Sequence, residues 1–189
     1  LGLTINYFAA FLLASSIAFY IFIYTVWLKR RTHHNIVIGG AAGAFPPVIG
    51  WSCVTGDISI FPFMLFLIIF VWTPPHFWAL AMYKDVEYSK VNIPMLPVVH
   101  GRKVAKIQSF IYSLVLSLVS IAPFFIGLTG ELYLFSSIVL NLIFVFYSYK
   151  LLNSKKNEND IFASRLFKFS ILYLYLIFMF FILDKIFQI

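Results

Sequence analysis

The sequence predicts an all-α protein, a polytopic bundle of transmembrane helices. Apolar residues make up 62% of the 189 and charged residues only 11%, whereas a water-soluble domain is close to half apolar. The apolar residues fall into six long runs, each near or above the ~20 residues of helix that cross a hydrocarbon core. Polar residues collect in the short connections between the runs, and basic ones only in alternate connections.

The first run, 3–28, ends at Lys29, Arg30 and Arg31. The second, 35–51, is built from small residues, Gly39, Gly40, Ala41, Ala42, Gly43 and Ala44, ahead of Pro46 and Pro47. Small residues let a helix approach a neighbour or a ligand closely. A turn with Thr55, Gly56 and Asp57 leads to the third run, 58–83, expected to be interrupted near Thr73, Pro74 and Pro75 because prolines remove backbone donors. A central loop over 84–103 precedes the fourth run, 104–128, which holds Pro123 near its end. After the turn at Thr129, Gly130 and Glu131 comes the fifth, 132–152. A polar linker with Lys155, Lys156, Glu158 and Asp160 separates it from the sixth, 165–187. No repeat or separate soluble domain is evident, so a single transmembrane domain over 1–189 is expected.

Charge orders these runs. The formal net charge of +7 comes from connections one, three and five: Lys29, Arg30 and Arg31; then Lys84, Lys90, Arg102, Lys103 and Lys106; then Lys155, Lys156, Arg165 and Lys168. Connections two and four hold no basic residue. Under the positive-inside rule the basic connections face the cytoplasm and both chain ends the opposite side. The charge therefore reads as membrane orientation rather than nucleic-acid binding. A first helix that starts outside is unusual in a complete protein, and the chain begins at Leu1, so an odd number of further helices upstream is expected. Cys53 is the single cysteine, which leaves no intrachain disulfide.

The chemistry concentrates between Trp72 and Gly101, WTPPHFWALAMYKDVEYSKVNIPMLPVVHG. Proline-broken helices at membrane depth tend to line a cavity. Asp85 and Glu87 are two carboxylates at the membrane surface, with Lys84 and Lys90 beside them and Lys29, Arg30 and Arg31 on the same side. Magnesium is commonly held by one or two carboxylates plus substrate phosphates, and cationic side chains would complete a diphosphate clamp. An ordinary solvated loop would carry the same residues. His76 sits at membrane depth, where an ionisable group is by default a functional candidate. It could contact a haem iron, move a proton, or bond a carbonyl freed by the prolines. His33, His34 and His100 are expected at the interface, in water. Trp72, Phe77, Trp78 and Tyr83 suit a flat or isoprenoid substrate, though aromatics are also ordinary at membrane boundaries.

Two stretches, YTVWLKRRTHHNIVIGGAAGAFPPVIGW (Tyr24 to Trp51) and Trp72 to Gly101, resemble the protohaem IX farnesyltransferase, or haem O synthase, family of intramembrane UbiA-type prenyltransferases. The likeness is strong over Tyr24 to Lys103 and rests on hydropathy and spacing downstream. It implies a bundle of nine helices around a central cavity, of which six are here, with two acidic motifs on cytoplasmic loops. The first motif has no counterpart in this chain. Asp85, Glu87 and Tyr88 match the second. The resemblance implies transfer of a farnesyl group from farnesyl diphosphate to a vinyl group of haem b, giving haem o for haem–copper oxidases, in a bacterial plasma membrane. It further implies Mg²⁺ on Asp85 and Glu87, diphosphate contact by Lys29, Arg30 and Lys84, and haem contact by His76. Gly39, Gly40 and Gly43 would admit the porphyrin or the isoprenoid chain. Haem A synthase or terminal-oxidase assembly factors are the protein partners such a product would meet. Lacking the first motif, this stretch is expected to be inactive by itself. Two other readings remain at this point: a prenyltransferase for a quinone or aromatic acceptor, and a transporter whose broken helices line a solute path.

Overall fold

The computed structural model describes residues 5–84, 94–155 and 159–187. Six helices among them are long and apolar enough to cross a membrane: α1 (Tyr7–Leu28), α2 (Asn35–Thr55), α3 (Ile60–Tyr83), α4 (Leu96–Phe125), α5 (Glu131–Leu152) and α6 (Asn159–Phe187). The described residues contain no strand. The all-helical membrane bundle is therefore as expected, but several helices differ in outline from the apolar runs.

Helix α1 starts at a side-chain cap. The Asn6 carboxamide oxygen accepts from the Ala9 amide at 2.7 Å, and its nitrogen donates to the Ser52 carbonyl at 2.8 Å, which ties the start of α1 to α2. The second half of α1, Phe19–Leu28, winds as a π-helix. The Lys29 amide reaches back five residues to the Tyr24 carbonyl at 2.8 Å. Such wide turns are rare and often stand at functional sites.

Helix α2 consists of two α-helical halves, Asn35–Ala44 and Pro46–Thr55. It runs past Trp51 to Gly56, whose φ of 76° is left-handed and natural to glycine at a helix end. In the following turn Asp57 accepts from the Thr55 hydroxyl at 2.7 Å and the Trp51 indole at 3.1 Å. Those two bonds hold its carboxyl below the usual carboxylate range.

The expected interruption of the third span does not occur: α3 is helical through both Pro74 and Pro75. The fixed φ of proline is compatible with a helix, and the cost lies in lost donors and crowding. Packing of α3 against α2, α4 and α6 holds it together, since both prolines are buried within that contact. Helix α4 also departs from its run. It begins at Leu96 rather than near 104, with Pro97 in its first turn, and passes a kink at Gly101, where φ is 81° and ψ 162°.

The core lies where α3 to α6 meet, around Ile68, Leu116, Tyr133, Phe144 and Tyr173. Lipid gives apolar helices no hydrophobic reason to associate, so small and polar residues fix the packing. Ser109, Ser113, Ser120, Ser137 and Ser148 are all fully buried. Asn141 of α5 accepts from Ser120 of α4 at 3.0 Å and from the Tyr173 hydroxyl of α6 at 2.8 Å, and Tyr133 donates to the Ser120 carbonyl at 2.7 Å. One three-helix network thus sets the register of α4, α5 and α6.

Charged groups finish α5 at both ends. The buried Asp184 carboxylate of α6 accepts from the Gly130 amide at 2.6 Å and the Tyr133 amide at 3.0 Å. At the other end the Lys106 ammonium of α4 donates to the Ser154 carbonyl at 2.9 Å and hydroxyl at 3.0 Å. An anion at the amino end and a cation at the carboxyl end is the arrangement the helix dipole favours.

Candidate functional site

Among the described residues, His76 is the most constrained of the expected site residues. It is 8% exposed and lies face to face with Trp72, one turn earlier on α3, at 4.2 Å between ring centroids. Phe167 of α6 covers it at 4.8 Å and Phe77 meets it edge-on at 5.1 Å. Its Nδ1 is 2.6 Å from the Ser170 hydroxyl of α6. That hydroxyl already donates to the Phe167 carbonyl at 2.6 Å, so its single proton is committed and its oxygen can only accept from His76. The proton of a neutral His76 imidazole is thereby assigned to Nδ1, and Nε2 carries the lone pair. Ser170 also anchors the partner ring, because the Trp72 indole donates to the Ser170 carbonyl at 2.8 Å.

The clamped pair borders two cavities. The larger, of about 740 Å³, lies between α2, α3 and α6, with Pro46 and Pro47 at one side, Trp72 and His76 along α3, and Phe167, Tyr175 and Phe178 along α6. The smaller, of about 390 Å³, is walled by Tyr20 and Tyr24 of α1, Gly39, Gly40 and Gly43 of α2, and Thr73 and Phe77 of α3. Ile69 and Trp72 belong to both. Trp72 is therefore a partition with one compartment on each side.

The glycines have separate jobs. A Cβ on Gly39 would collide with the Tyr24 ring, and one on Gly40 would stand 2.9 Å from the Thr73 methyl, whereas one on Gly43 would meet nothing within 4 Å. Gly39 and Gly40 permit close helix packing. Gly43 leaves open space.

The expected cations lie at one end of the bundle. Lys29 and the exposed Arg30 follow α1 directly, and the Lys29 carbonyl accepts from the buried Asn35 side chain at 3.0 Å, which fixes the corner into α2. Lys84 caps the end of α3, its amide donating to the Leu80 carbonyl at 2.9 Å. Asp85, Glu87 and Tyr88 lie outside the described residues. Among the described residues no group of three or more His, Cys, Asp or Glu is arranged to hold a metal ion.

Sequence reasoning missed Ser170 and the whole α6 wall. A lone serine inside the apolar run Phe169 to Leu174 is the one signal that pointed there. His34 and His100 are exposed, in keeping with the expected interfacial position, and the three rings gather, His33 lying 4.0 Å from His34 and 4.2 Å from His100.

The model of the UbiA prenyltransferase family matches residues 1–181. The chain belongs to that family. Membership sets aside the solute-transport reading and makes the two cavities those of a prenyltransferase fold. Among curated proteins, the chain is 52% identical to a protoheme IX farnesyltransferase of Parvibaculum lavamentivorans, over 98% of this chain and 58% of the relative. It is 51% identical to the protein of that name from Acidiphilium cryptum, over 97% and 60%, and 52% identical to that of Novosphingobium aromaticivorans, over 94% and 59%. The chain thus spans about three-fifths of the length of these relatives. No solved structure matches it closely enough to be informative.

Proposed function

We propose that this chain forms part of an enzyme that transfers the farnesyl group of farnesyl diphosphate to a vinyl group of haem b, giving haem o and diphosphate. The observation that carries the reading is the His76 arrangement: an imidazole fixed by Ser170 between Trp72 and Phe167, on the wall of a cavity of about 740 Å³. A bare Nε2 suits contact with a haem iron, and flat aromatic walls suit a porphyrin. The names of the relatives point to the same substrates.

In this reading the larger compartment takes the tetrapyrrole and the smaller one the isoprenoid chain, with Trp72 between them. The carbon–oxygen bond to diphosphate breaks, an allylic cation develops, and the farnesyl carbon bonds to the vinyl group while water supplies the hydroxyl and loses a proton. The chain's part is to keep bulk water from the cation and to neutralise the leaving group. Lys29, Arg30 and Lys84 stand at the end of the bundle where a diphosphate would lie, and ammonium and guanidinium groups bind its oxygens directly. Asp85 and Glu87 offer the hard oxygen donors that Mg²⁺ prefers, with Tyr88 next to them. When bound, the ion would neutralise charge on the departing diphosphate. The positive-inside rule supports a cytoplasmic orientation for this end, and the resemblance supports a bacterial plasma membrane.

The test uses the full-length parent protein in membranes, supplied with haem b, farnesyl diphosphate and Mg²⁺ and assayed for haem o by mass. A farnesylated haem that disappears on chelation, and falls sharply with Glu87→Gln, is the expected result. Unchanged haem o from the Glu87→Gln protein would remove the metal role, and no product at all would remove the reaction.

A further inference from the structure

Among the described residues, only Ile69 and Trp72 line both the larger and the smaller cavity, and no side chain lining either of them is a carboxylate. Tyr20, Tyr24 and Phe77 add rings to the smaller cavity, and Phe167, Tyr175 and Phe178 to the larger. These side chains offer a developing positive charge no counter-ion. What they offer is the electron-rich face of an aromatic ring, and indole attracts a cation more strongly than the phenyl or phenol rings do.

Trp72 is also held still. Its indole N–H donates to the Ser170 carbonyl of α6 at 2.8 Å. The ring stacks on His76, 4.2 Å away between centroids and 21° from parallel. Two contacts from different elements fix the plane of the indole, while the residue stays half-buried and keeps surface on the cavities. A group fixed in this way pays no reorganisation when charge develops beside it. Packing of α3 on α6 accounts for the hydrogen bond and the stack, but it does not require the ring to border both compartments.

We propose that Trp72 is a catalytic residue whose indole stabilises the allylic cation where the two compartments meet, an inference that rests on the reaction proposed above. In that reaction the carbon–oxygen bond to diphosphate breaks and both electrons leave with the oxygen, so the farnesyl carbon and its allylic partner share one positive charge. The vinyl π pair then forms the new carbon–carbon bond. The charge passes to the vinyl carbon next to the porphyrin, where water adds and loses its proton to solvent. The farnesyl carbon has to pass from the smaller compartment to the larger one during this sequence, and it passes beside Trp72. A cation over a desolvated indole is held by about 2 kcal/mol, which corresponds to about thirtyfold in rate.

The experiment uses the full-length protein in membranes with saturating haem b, farnesyl diphosphate and Mg²⁺, and follows haem o formed in a single turnover by mass. Mono-, di- and trifluorotryptophan are placed at position 72 alone by stop-codon suppression. They keep the outline of the ring and its N–H while withdrawing π density in steps. The rate is expected to fall with each fluorine, by about thirtyfold across the series, while haem affinity and the unfolding midpoint stay those of the parent. Trp72→Phe keeps a weaker ring and should turn over faster than Trp72→Leu. Where Trp72→Leu fails to fold, the fluorinated series decides, because it leaves the packing in place. Haem o formed at the parent rate throughout that series would overturn the role of Trp72 and leave the proposed reaction standing. A fall in rate that only mirrors a loss of haem affinity would overturn it as well, and no haem o from the parent would overturn both readings.

Discussion

The Nδ1 of His76 and the hydroxyl of Ser170 meet at 2.6 Å from helices 94 residues apart in the chain. Because the Ser170 proton goes to Phe167, this one contact selects the tautomer of the imidazole and aims its chemistry through Nε2. A group that orients a ligand in this way typically changes affinity 10–100-fold when removed. If the larger cavity takes haem as proposed, Ser170→Ala should weaken its binding by about tenfold, with a matching change in the absorption spectrum of the bound haem. It should leave affinity for farnesyl diphosphate unchanged. Equal losses for both ligands would mean that Ser170 serves the packing of α3 on α6 and nothing more specific.

Gly40 and Gly43 are three residues apart on α2, and the structure separates what they do. An alanine at Gly40 must push Thr73 aside, while one at Gly43 enters free space. Gly40→Ala is expected to cost stability by about 1–3 kcal/mol, the usual range for overpacking. Gly43→Ala should cost little. A larger side chain at Gly43 would fill the smaller cavity without disturbing the contact of α2 with α3. Gly43→Phe should therefore keep the unfolding midpoint of the parent and lose the ability to take a full-length farnesyl chain. A geranyl substrate, one isoprene unit shorter, should retain more of its activity than the farnesyl one.

The helices were legible in the sequence because lipid imposes one simple requirement, a long apolar run, and all six appear where that requirement placed them. Their ends were less so. Pro74 and Pro75 suggested a break, yet α3 continues through them, since neighbouring helices can hold a proline-containing helix together and this dependence on tertiary contact leaves no local trace. Leu96 to Lys103 read as loop because of its charges and glycine, and it is helical with a kink. At the candidate site, His76 stood out as an ionisable residue at membrane depth. Ser170 did not, because a serine in an apolar helix is usually packing or a backbone bond. Asp85, Glu87 and Tyr88, which carried the resemblance in the acidic loop, lie outside the described residues, so their part in the site stands on sequence alone.

The three imidazoles at the start of α2 and α4 give a dependence on pH. His33 has a folded-state pKa below the ordinary value of 6.5, caused by burial first and then by His34 and His100. A histidine whose pKa is lowered by folding takes up its proton more readily when unfolded, so protonation favours the unfolded state. Its neutral form is fully compatible with the fold above the unfolded value, and stability falls as pH drops below about 6.5. Unfolding midpoints of the parent and of His33→Asn, compared between pH 7.5 and 5.5 in phosphate-free buffer, should show a smaller acid loss in the variant. Parallel curves would mean that neither burial nor the neighbouring imidazoles perturb His33.

The ends of α5 offer a test of how this bundle is held together without help from the hydrophobic effect. Asp184 accepts two amide hydrogens at the amino end, and Lys106 donates to Ser154 at the carboxyl end. Asp184 is buried, 1% exposed, so its replacement leaves amides that water reaches poorly. Hydrogen bonds to a charged group are worth about 1.5–3 kcal/mol each. Asp184→Asn keeps the shape and one acceptor oxygen but loses the charge and one of the two bonds, and it should cost about 2 kcal/mol. Asp184→Ala, with no acceptor, should cost more. Lys106→Met retains the apolar stem and loses the donor, so its effect should be smaller, about 1 kcal/mol. Thermal unfolding in detergent gives the ranking directly. If Asp184→Asn were neutral while Lys106→Met was severe, the amino end of α5 would be capped by water and the dipole argument would fail.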